Sequence, residues 1–424
     1  MDPWGFPYKI AAGKLRPSTI LAGLRTPDGF TEGWRDTSAH MLNTLLPADD
    51  ANLDTPLQAG IRDSFERYTP ERGDFSPVTE EETEIAVSAG RPRKAPGPDG
   101  LPVEFLQKGN LAKHLNALFN QCIQESRYPL PWKKSQAVIL LKEEGRDITL
   151  AKSFRPICLL DTAGKTFERV LNQRLLEVCQ PEPEQYGFVR GRSTEGALVA
   201  IRDCITSAAS KYQLALFVDI SGAFDNLWWP SLFEELRRRG TPTYLYCLLR
   251  DYCRDREVTL STPGGSVSKG ITKGCPQGSV LGPTLWNIMM DTAIRRLRPH
   301  TRGIVAYADD LTIILVGDSR RELEAKGLDV ANALQEWCES TKLKVSAAKS
   351  AAIVFGGRLQ RSPTLRICGD AVPVVAQHRV LGVVLDRGLS FQAHLTTACD
   401  KALKMIYRIA SVAKRQFGIR PSSL

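Results

Sequence analysis

The tetrapeptide Tyr307-Ala308-Asp309-Asp310 separates two short apolar runs, Gly303-Ile304-Val305-Ala306 and Leu311-Thr312-Ile313-Ile314-Leu315-Val316. Runs of this length, rich in β-branched residues and split by a polar pair, predict two strands joined at a tight turn. Adjacent carboxylates at the tip of an apolar hairpin are unfavourable by themselves. Like charges ~4 Å apart repel by roughly 4 kcal/mol at an effective dielectric near 20. A divalent cation turns that repulsion into a site, because hard ions such as Mg²⁺ take one or two carboxylates together with substrate phosphates. Standing alone, the pair would read equally well as a solvated acidic turn.

A third carboxylate has a similar setting. Leu214-Ala215-Leu216-Phe217-Val218 is a continuous apolar run, as in a buried strand, and it ends at Asp219. The following Gly222 and Ala223 are small enough to let backbone N–H groups approach a phosphate. If this strand lies beside the Asp309 hairpin, Asp219, Asp309 and Asp310 converge on one patch. Such a patch would hold two Mg²⁺ ions for in-line phosphoryl displacement. Asp225 is assigned to helix capping or a local salt bridge.

Bulk properties limit the alternatives. The 424 residues allow two to four domains or one multi-lobed body, and 42% hydrophobic with 24% charged residues is ordinary for a globular chain. A net charge of +9 favours a nucleic-acid partner. Acids gather at Glu80, Glu81, Glu82 and Glu84, whereas Lys401, Lys404, Arg408, Lys414, Arg415 and Arg420 suggest a basic wall near the carboxyl-terminal end. Ten cysteines without a C-x₂-C pair, and five histidines without zinc spacing, read as buried reduced thiols in an intracellular protein. No apolar stretch of ~18 residues suggests a membrane span.

Along the chain, Pro and Gly recur in Met1–Pro7 and periodicity stays weak through Gly73, so residues 1–85 read as an N-terminal extension or linker remnant. Phe105, Leu106, Leu111, Leu115, Leu118, Phe119, Cys122 and Ile123 have helical spacing. Ala137–Leu141 predicts a strand ending on Lys142, with a turn at Glu143-Glu144-Gly145-Arg146 and a second run from Arg155 to Leu160. Ser193 or Thr194 can cap one helix and Ser319 another, while Pro230 opens and Gly240 ends a third. A final amphipathic helix is expected from Ser390 towards Phe417, with Phe391, Leu395, Ala398, Ala402, Ile406, Ile409 and Ala413 on one side. Strands and helices alternate without a strict β-α-β rhythm, which gives α+β.

Asp219 at a strand end, Lys273-Gly274-Cys275-Pro276-Gln277-Gly278-Ser279, and Tyr307-Ala308-Asp309-Asp310 form an ordered set. The set resembles the A, B and C motifs of reverse transcriptases. With Arg155-Pro156-Ile157 and the segment Gly187-Phe188 to Thr194, it is most similar to the enzymes of non-long-terminal-repeat (LINE-like) retrotransposons. The resemblance spans roughly Lys94 to Leu395. It implies a right-hand polymerase fold, with fingers and palm in residues 86–390 and only the start of a thumb in 391–424.

The resemblance also implies roles. Asp219, Asp309 and Asp310 would be the catalytic, metal-binding carboxylates, with Ile220 adjoining them in the metal set and Asp310 a closer neighbour than ligand. Two Mg²⁺ ions are the expected cofactors, and Mn²⁺ would accept the same oxygens. Lys142 and Arg155 would clamp the dNTP triphosphate beside Gly222 and Ala223. Phe224 would lie beneath the sugar as a steric gate, although an ordinary core phenylalanine is the plain alternative. Gln277 would touch the nascent base pair and sugar, and Lys349 would protonate departing pyrophosphate. Arg190 and Arg192 would face the template backbone, and Leu381–Asp386 resembles the primer-grip hairpin.

The partners so implied are an RNA template, a DNA primer and dNTPs, with residence in the nucleus expected from the lifestyle of such elements. Family members usually carry an endonuclease before this region and a full thumb with a Cys/His knuckle after it. By that comparison the chain reads as a truncated copy with weak, salt-sensitive binding. The alternative function is an inactive or co-opted copy that only binds nucleic acid.

Overall fold

The computed structural model describes residues 23–412 except Arg72, Asp74, Glu143, Glu144 and Arg358. Met1–Pro7, the first half of the expected 143–146 turn, and the basic residues Lys414, Arg415 and Arg420 with Ala413 lie outside the described residues. Two four-stranded sheets organise the rest. The central sheet runs Ala351–Gly356, Tyr212–Asp219, Asp310–Gly317, Gly303–Tyr307, antiparallel throughout. The second runs Phe154–Leu159, Lys134–Leu141, Arg256–Thr262, Gly265–Ile271, with one parallel pairing between its two inner strands.

The continuous apolar runs have a simple cause: the central sheet is covered on both faces. Leu214, Leu216, Val218, Ile313 and Leu315 point into the main core, against helices Thr162–Val178, Trp229–Arg238, Leu281–Leu297 and Arg320–Thr341. Ala215, Phe217, Ile314, Ile353 and Phe355 point the other way, against helix Thr194–Thr206 and the hairpin Gln377–Val380/Val383–Asp386. A strand buried on both sides shows no polar alternation. Helix Leu281–Leu297 lies deepest, with Trp286, Met290 and Leu297 fully buried. Truncating Trp286 to alanine would cost ~3–5 kcal/mol by cavity formation.

The described part of the stretch read as an extension, from residue 23 on, packs into this body. Helix Gly33–Leu45 seats Met41 and Leu42 in the core beneath the second sheet. Helix Pro56–Arg67 starts at a capping box in which Thr55 Oγ1 accepts the Gln58 N–H and the Gln58 side chain accepts the Thr55 N–H. Arg62 bridges Asp54 at 2.7 Å and Asp49 at 2.8 Å, and Lys342, at the end of helix Arg320–Thr341, reaches the same two carboxylates. The acidic cluster at 80–82 forms the first turn of helix Glu80–Ser88, where carboxylates suit the positive end of the helix dipole.

Other sequence expectations meet specific outcomes. The apolar spacing from Phe105 to Ile123 belongs to two helices, Val103–Lys108 and Ala112–Glu125, because Gly109 and the left-handed Asn110 interrupt it. Ser193 caps helix Thr194–Thr206 by accepting the Gly196 N–H, and Ser319 caps the next long helix through Glu322 N–H. Among the described residues the cysteines form no disulfide, but Cys368 and Cys399 are exposed rather than buried. In the helix Gln392–Val412, Leu395 and Ile406 of the expected apolar face are open to solvent. Among the described residues no helix is long and apolar enough to cross a membrane.

Candidate active site

Asp219 ends its strand opposite Asp310, the first residue of the neighbouring antiparallel strand. Tyr307 pairs with Asp310 across the hairpin, so Ala308 and Asp309 form a two-residue loop, with Ala308 left-handed at φ 57°. The three carboxylates therefore stand at one end of the central sheet. The loop is braced from behind. Trp286 Nε1 donates to Ala308 O at 3.0 Å, Tyr186 N–H donates to Ala306 O at 2.7 Å, and Asn287 Nδ2 holds Gly187 O at 2.9 Å. Gly187 presses directly on the Tyr307–Ala308 backbone, with no room for a side chain between them.

Asp309 and Asp310 are open to solvent at their tips yet surrounded by protein mass. That partial dehydration raises the Asp309 carboxyl, with Asp219 adding to the rise and Arg155 and Lys349 opposing it. The same dehydration, then the charges of Asp309 and Asp219, push Asp310 up to about 6. Lys349 Nζ stands 3.4 Å from Asp219 Oδ2 and is mostly exposed, a geometry of little stabilising weight. Firmer links hold the backbone. Asp219 N–H donates to Ser350 Oγ at 3.1 Å, Ser346 N–H to Asp219 O at 2.9 Å, and Ser221 N–H to Lys344 O at 2.8 Å. Ile220 buries its side chain in the core and can offer no side-chain ligand.

Among the described residues no three His, Cys, Asp or Glu side chains are arranged to hold a metal ion by themselves. The donor chemistry fits an open site instead: carboxylates that repel one another, with phosphate and water left to complete an oxygen shell around a hard cation.

Cations approach from the second sheet. Arg155 lies opposite Leu140 in that sheet, and Lys142 follows the same strand, fixed by its N–H to Ser153 O at 2.9 Å. Dehydration lowers the Lys142 ammonium most, and Arg155, Arg146 and Lys349 lower it further. Arg155 and Lys349 thus stand near the acidic patch, and Lys142 lies near both of them and near Asp225.

The floor is built from Gly222 to Leu227 and the 273–279 loop. Gly222 is left-handed at φ 60°, and a Cβ there would meet Asn226 Nδ2 at 2.5 Å. Ala223 is buried. The Phe224 ring meets Phe188 edge-on and stacks on Trp286, each at 5.8 Å between centroids. Gly274 N–H donates to Leu227 O at 2.7 Å and Cys275 N–H to Phe224 O at 2.9 Å, tying the loop to this turn. Gln277 O accepts the Cys158 N–H at 2.8 Å, which ties it to the second sheet as well.

One expectation needs correction. Asp225 does not cap a helix and among the described residues forms no salt bridge; both its oxygens accept from Gln277 Nε2, at 2.9 and 3.0 Å. Their separation of 52 residues gave no local signal. Arg192, part-exposed, commits Nη1 to the carbonyls of Glu182, Pro183 and Gln185 and so clamps the 182–185 turn. Arg190 is exposed. The Leu381-Gly382 turn, left-handed at both residues, tops a hairpin whose Val380 and Leu385 pack on the central sheet. Sequence reasoning also passed over Glu168, a buried carboxylate whose Oε2 accepts Val280 N–H and Leu281 N–H at the start of helix Leu281–Leu297.

Comparison with known proteins identifies the family. The family model described as reverse transcriptase (RNA-dependent DNA polymerase) matches residues 133–385. The chain is 31% identical to the retrovirus-related Pol polyprotein from type-1 retrotransposable element R1 of Bradysia coprophila, over 99% of this chain and 41% of that protein. It is 29% identical to the RNA-directed DNA polymerase from mobile element jockey of Drosophila melanogaster, over 82% of this chain and 40% of that one. The chain therefore spans about two fifths of the length of these relatives.

Proposed function

The chain belongs to the reverse transcriptase (RNA-dependent DNA polymerase) family, and from that premise we propose that it extends a DNA primer 3′-hydroxyl on an RNA template with dNTPs, as the polymerase of a LINE-like retroelement. The observation that carries this reading is the register that sets Asp219 against Asp310, with Asp309 on the intervening turn, Arg155 and Lys349 near it, and Lys142 near those two cations. In this reading the central sheet is the palm, the second sheet with its flanking helices the fingers, and helix Gln392–Val412 the start of a thumb. The division into residues 1–85, 86–390 and 391–424 is part of the proposal.

Asp219 and Asp309 are the residues to hold two Mg²⁺ ions, with Asp310 beside them and Mn²⁺ an alternative ion. When bound, the ions lower the pKa of the primer hydroxyl and neutralise the triphosphate. The chain's own groups do the rest. Lys142 and Arg155 draw in the triphosphate, and Gly222 and Ala223 let it approach the backbone. Lys349, 3.4 Å from Asp219, gives a proton to the leaving pyrophosphate in this reading. Phe224, edge-on to Phe188 and stacked on Trp286, is the ring that would clash with a 2′-hydroxyl. Gln277 contacts the nucleotide, and Arg190 meets the template backbone.

Primer extension on poly(rA)/oligo(dT) with Mg²⁺ and labelled dTTP tests the reading. Incorporation by the native chain, lost in Asp309→Ala, supports it. No incorporation by the native chain, with nucleic-acid binding retained, would replace it with a binding function.

A further inference from the structure

A carboxamide has two unlike ends, a donating NH₂ and an accepting oxygen, and Gln277 has its NH₂ against a carboxylate. Nε2 lies 2.9 Å from Asp225 Oδ1 and 3.0 Å from Oδ2. Turning the amide over would set its oxygen against two acceptors and forfeit charge-assisted hydrogen bonds, so the carboxylate dictates one orientation. The backbones carrying the pair are pinned separately. Gln277 O takes the Cys158 N–H, and Gly278, at φ 126°, lies so close to Cys158 O that a Cβ would come to 2.5 Å. On the other side Gly274 packs on Asp225 O, and Trp229 Nε1 donates to Gly274 O at 2.8 Å. Burial works against the charged form of Asp225, and Gln277, Lys142 and Arg155 favour it.

We propose that Asp225 is a positioning residue that locks the Gln277 carboxamide with its oxygen towards the incoming nucleotide, so that the site selects for a hydrogen-bond donor there. This rests on the polymerase reading above. The donor follows from chemistry. A templated enzyme must accept four bases, whose donor patterns differ, whereas every dNTP carries a sugar 3′-hydroxyl. A locked acceptor therefore serves all four substrates only by accepting from that hydroxyl. Asp225 directly follows Phe224, which places the lock beside the ring assigned to the sugar.

The test is steady-state incorporation of dTTP and of 3′-deoxy-dTTP on poly(rA)/oligo(dT), read as the ratio of their kcat/KM values. Asp225→Asn, nearly isosteric, should reduce that ratio about 5- to 10-fold, the value of one hydrogen bond, mainly through KM for dTTP. Gln277→Ala should do the same, and combining the two should add nothing further. Asp225→Asn with Gln277→Glu should recover the preference, because the introduced amide NH₂ then donates to one oxygen of the introduced carboxylate and leaves the other facing the sugar. Equal losses with both nucleotides, independent effects of the two single changes, or no recovery in the swapped pair would overturn the lock while leaving the polymerase reading intact. A native chain that incorporates neither nucleotide would overturn both.

Discussion

Replacing Gly187 with alanine adds one methyl group where the 184–187 segment crosses the back of the Ala308–Asp309 turn. Gly187 does not use a left-handed conformation, so the backbone itself tolerates alanine and the effect is one of contact alone. The new Cβ would stand 3.0 Å from Tyr307 C and 3.1 Å from Ala308 Cα, and closer still to Ala308 N. Carbon contacts are most favourable at about 3.5–4.0 Å, and backbone atoms cannot rotate aside, so relief needs on the order of 1 Å of movement. Asn287 holds Gly187 O at 2.9 Å on one side, and Trp286 holds Ala308 O at 3.0 Å on the other. Either a buried hydrogen bond breaks or the turn shifts, carrying Asp309 with it. Overpacking of this kind costs ~1–3 kcal/mol of stability. A displacement of ~1 Å at a reacting centre costs ~10²-fold in rate. Urea unfolding and primer-extension kinetics on one preparation should show a folded protein, ~1–3 kcal/mol less stable, with kcat down ~10²-fold. A variant whose kcat stays within about twofold of the native value would refute the bracing argument.

Gly60→Ala is the opposite case: Gly60 sits on the exposed helix Pro56–Arg67 with open space around it, so alanine should stabilise by about 1 kcal/mol in urea unfolding, and a loss would contradict that packing. Phe224→Ala should lower the preference for dTTP over UTP by about tenfold or more, since about 1.4 kcal/mol of steric exclusion is a factor of ten; an unchanged ratio would remove Phe224 from the sugar site. Burial pushes Asp225 up to about 6, against 3.8 for the free side chain, with Gln277, Lys142 and Arg155 only partly offsetting it. The folded chain then binds this proton more tightly than the unfolded one, so stability from this group falls as pH rises from about 4 through 6. Because the carboxylate is partly exposed, the effect is on the order of 1 kcal/mol. Asp225→Asn should therefore gain that much relative to the native chain between pH 4.5 and 7.5 in paired unfolding curves, and a constant difference at the two pH values would contradict the assignment.

What the sequence revealed followed physical locality. The central sheet was legible because both its faces are buried and its strands are unbroken apolar runs; Ser193 and Ser319 were legible because a cap lies within a few residues of what it caps. Asp219, Asp309 and Asp310 could be nominated because Asp219 ends such a run, Asp310 begins one, and Asp309 lies on the turn between two. The Asp225–Gln277 bond was not legible, since chain separation hides it. Arg192 looked like a surface cation, but its carbonyl partners exist only once the 182–185 turn has formed. The helices Gly33–Leu45 and Pro56–Arg67 were missed for another reason. The first buries Thr37 and Ser38 among its apolar residues, and the second fully buries only Gln58 and docks through Phe65 and Arg62, so neither shows a clean apolar stripe. The Thr55–Gln58 capping box was the available signal for the second.

The most direct measurement is extension of a DNA primer on a defined heteropolymeric RNA template, with four dNTPs and Mg²⁺, followed by sequencing of the product. The account predicts a DNA complement of the RNA from the native chain and none from Asp309→Asn. Equal products from both, or none from the native chain, would contradict it.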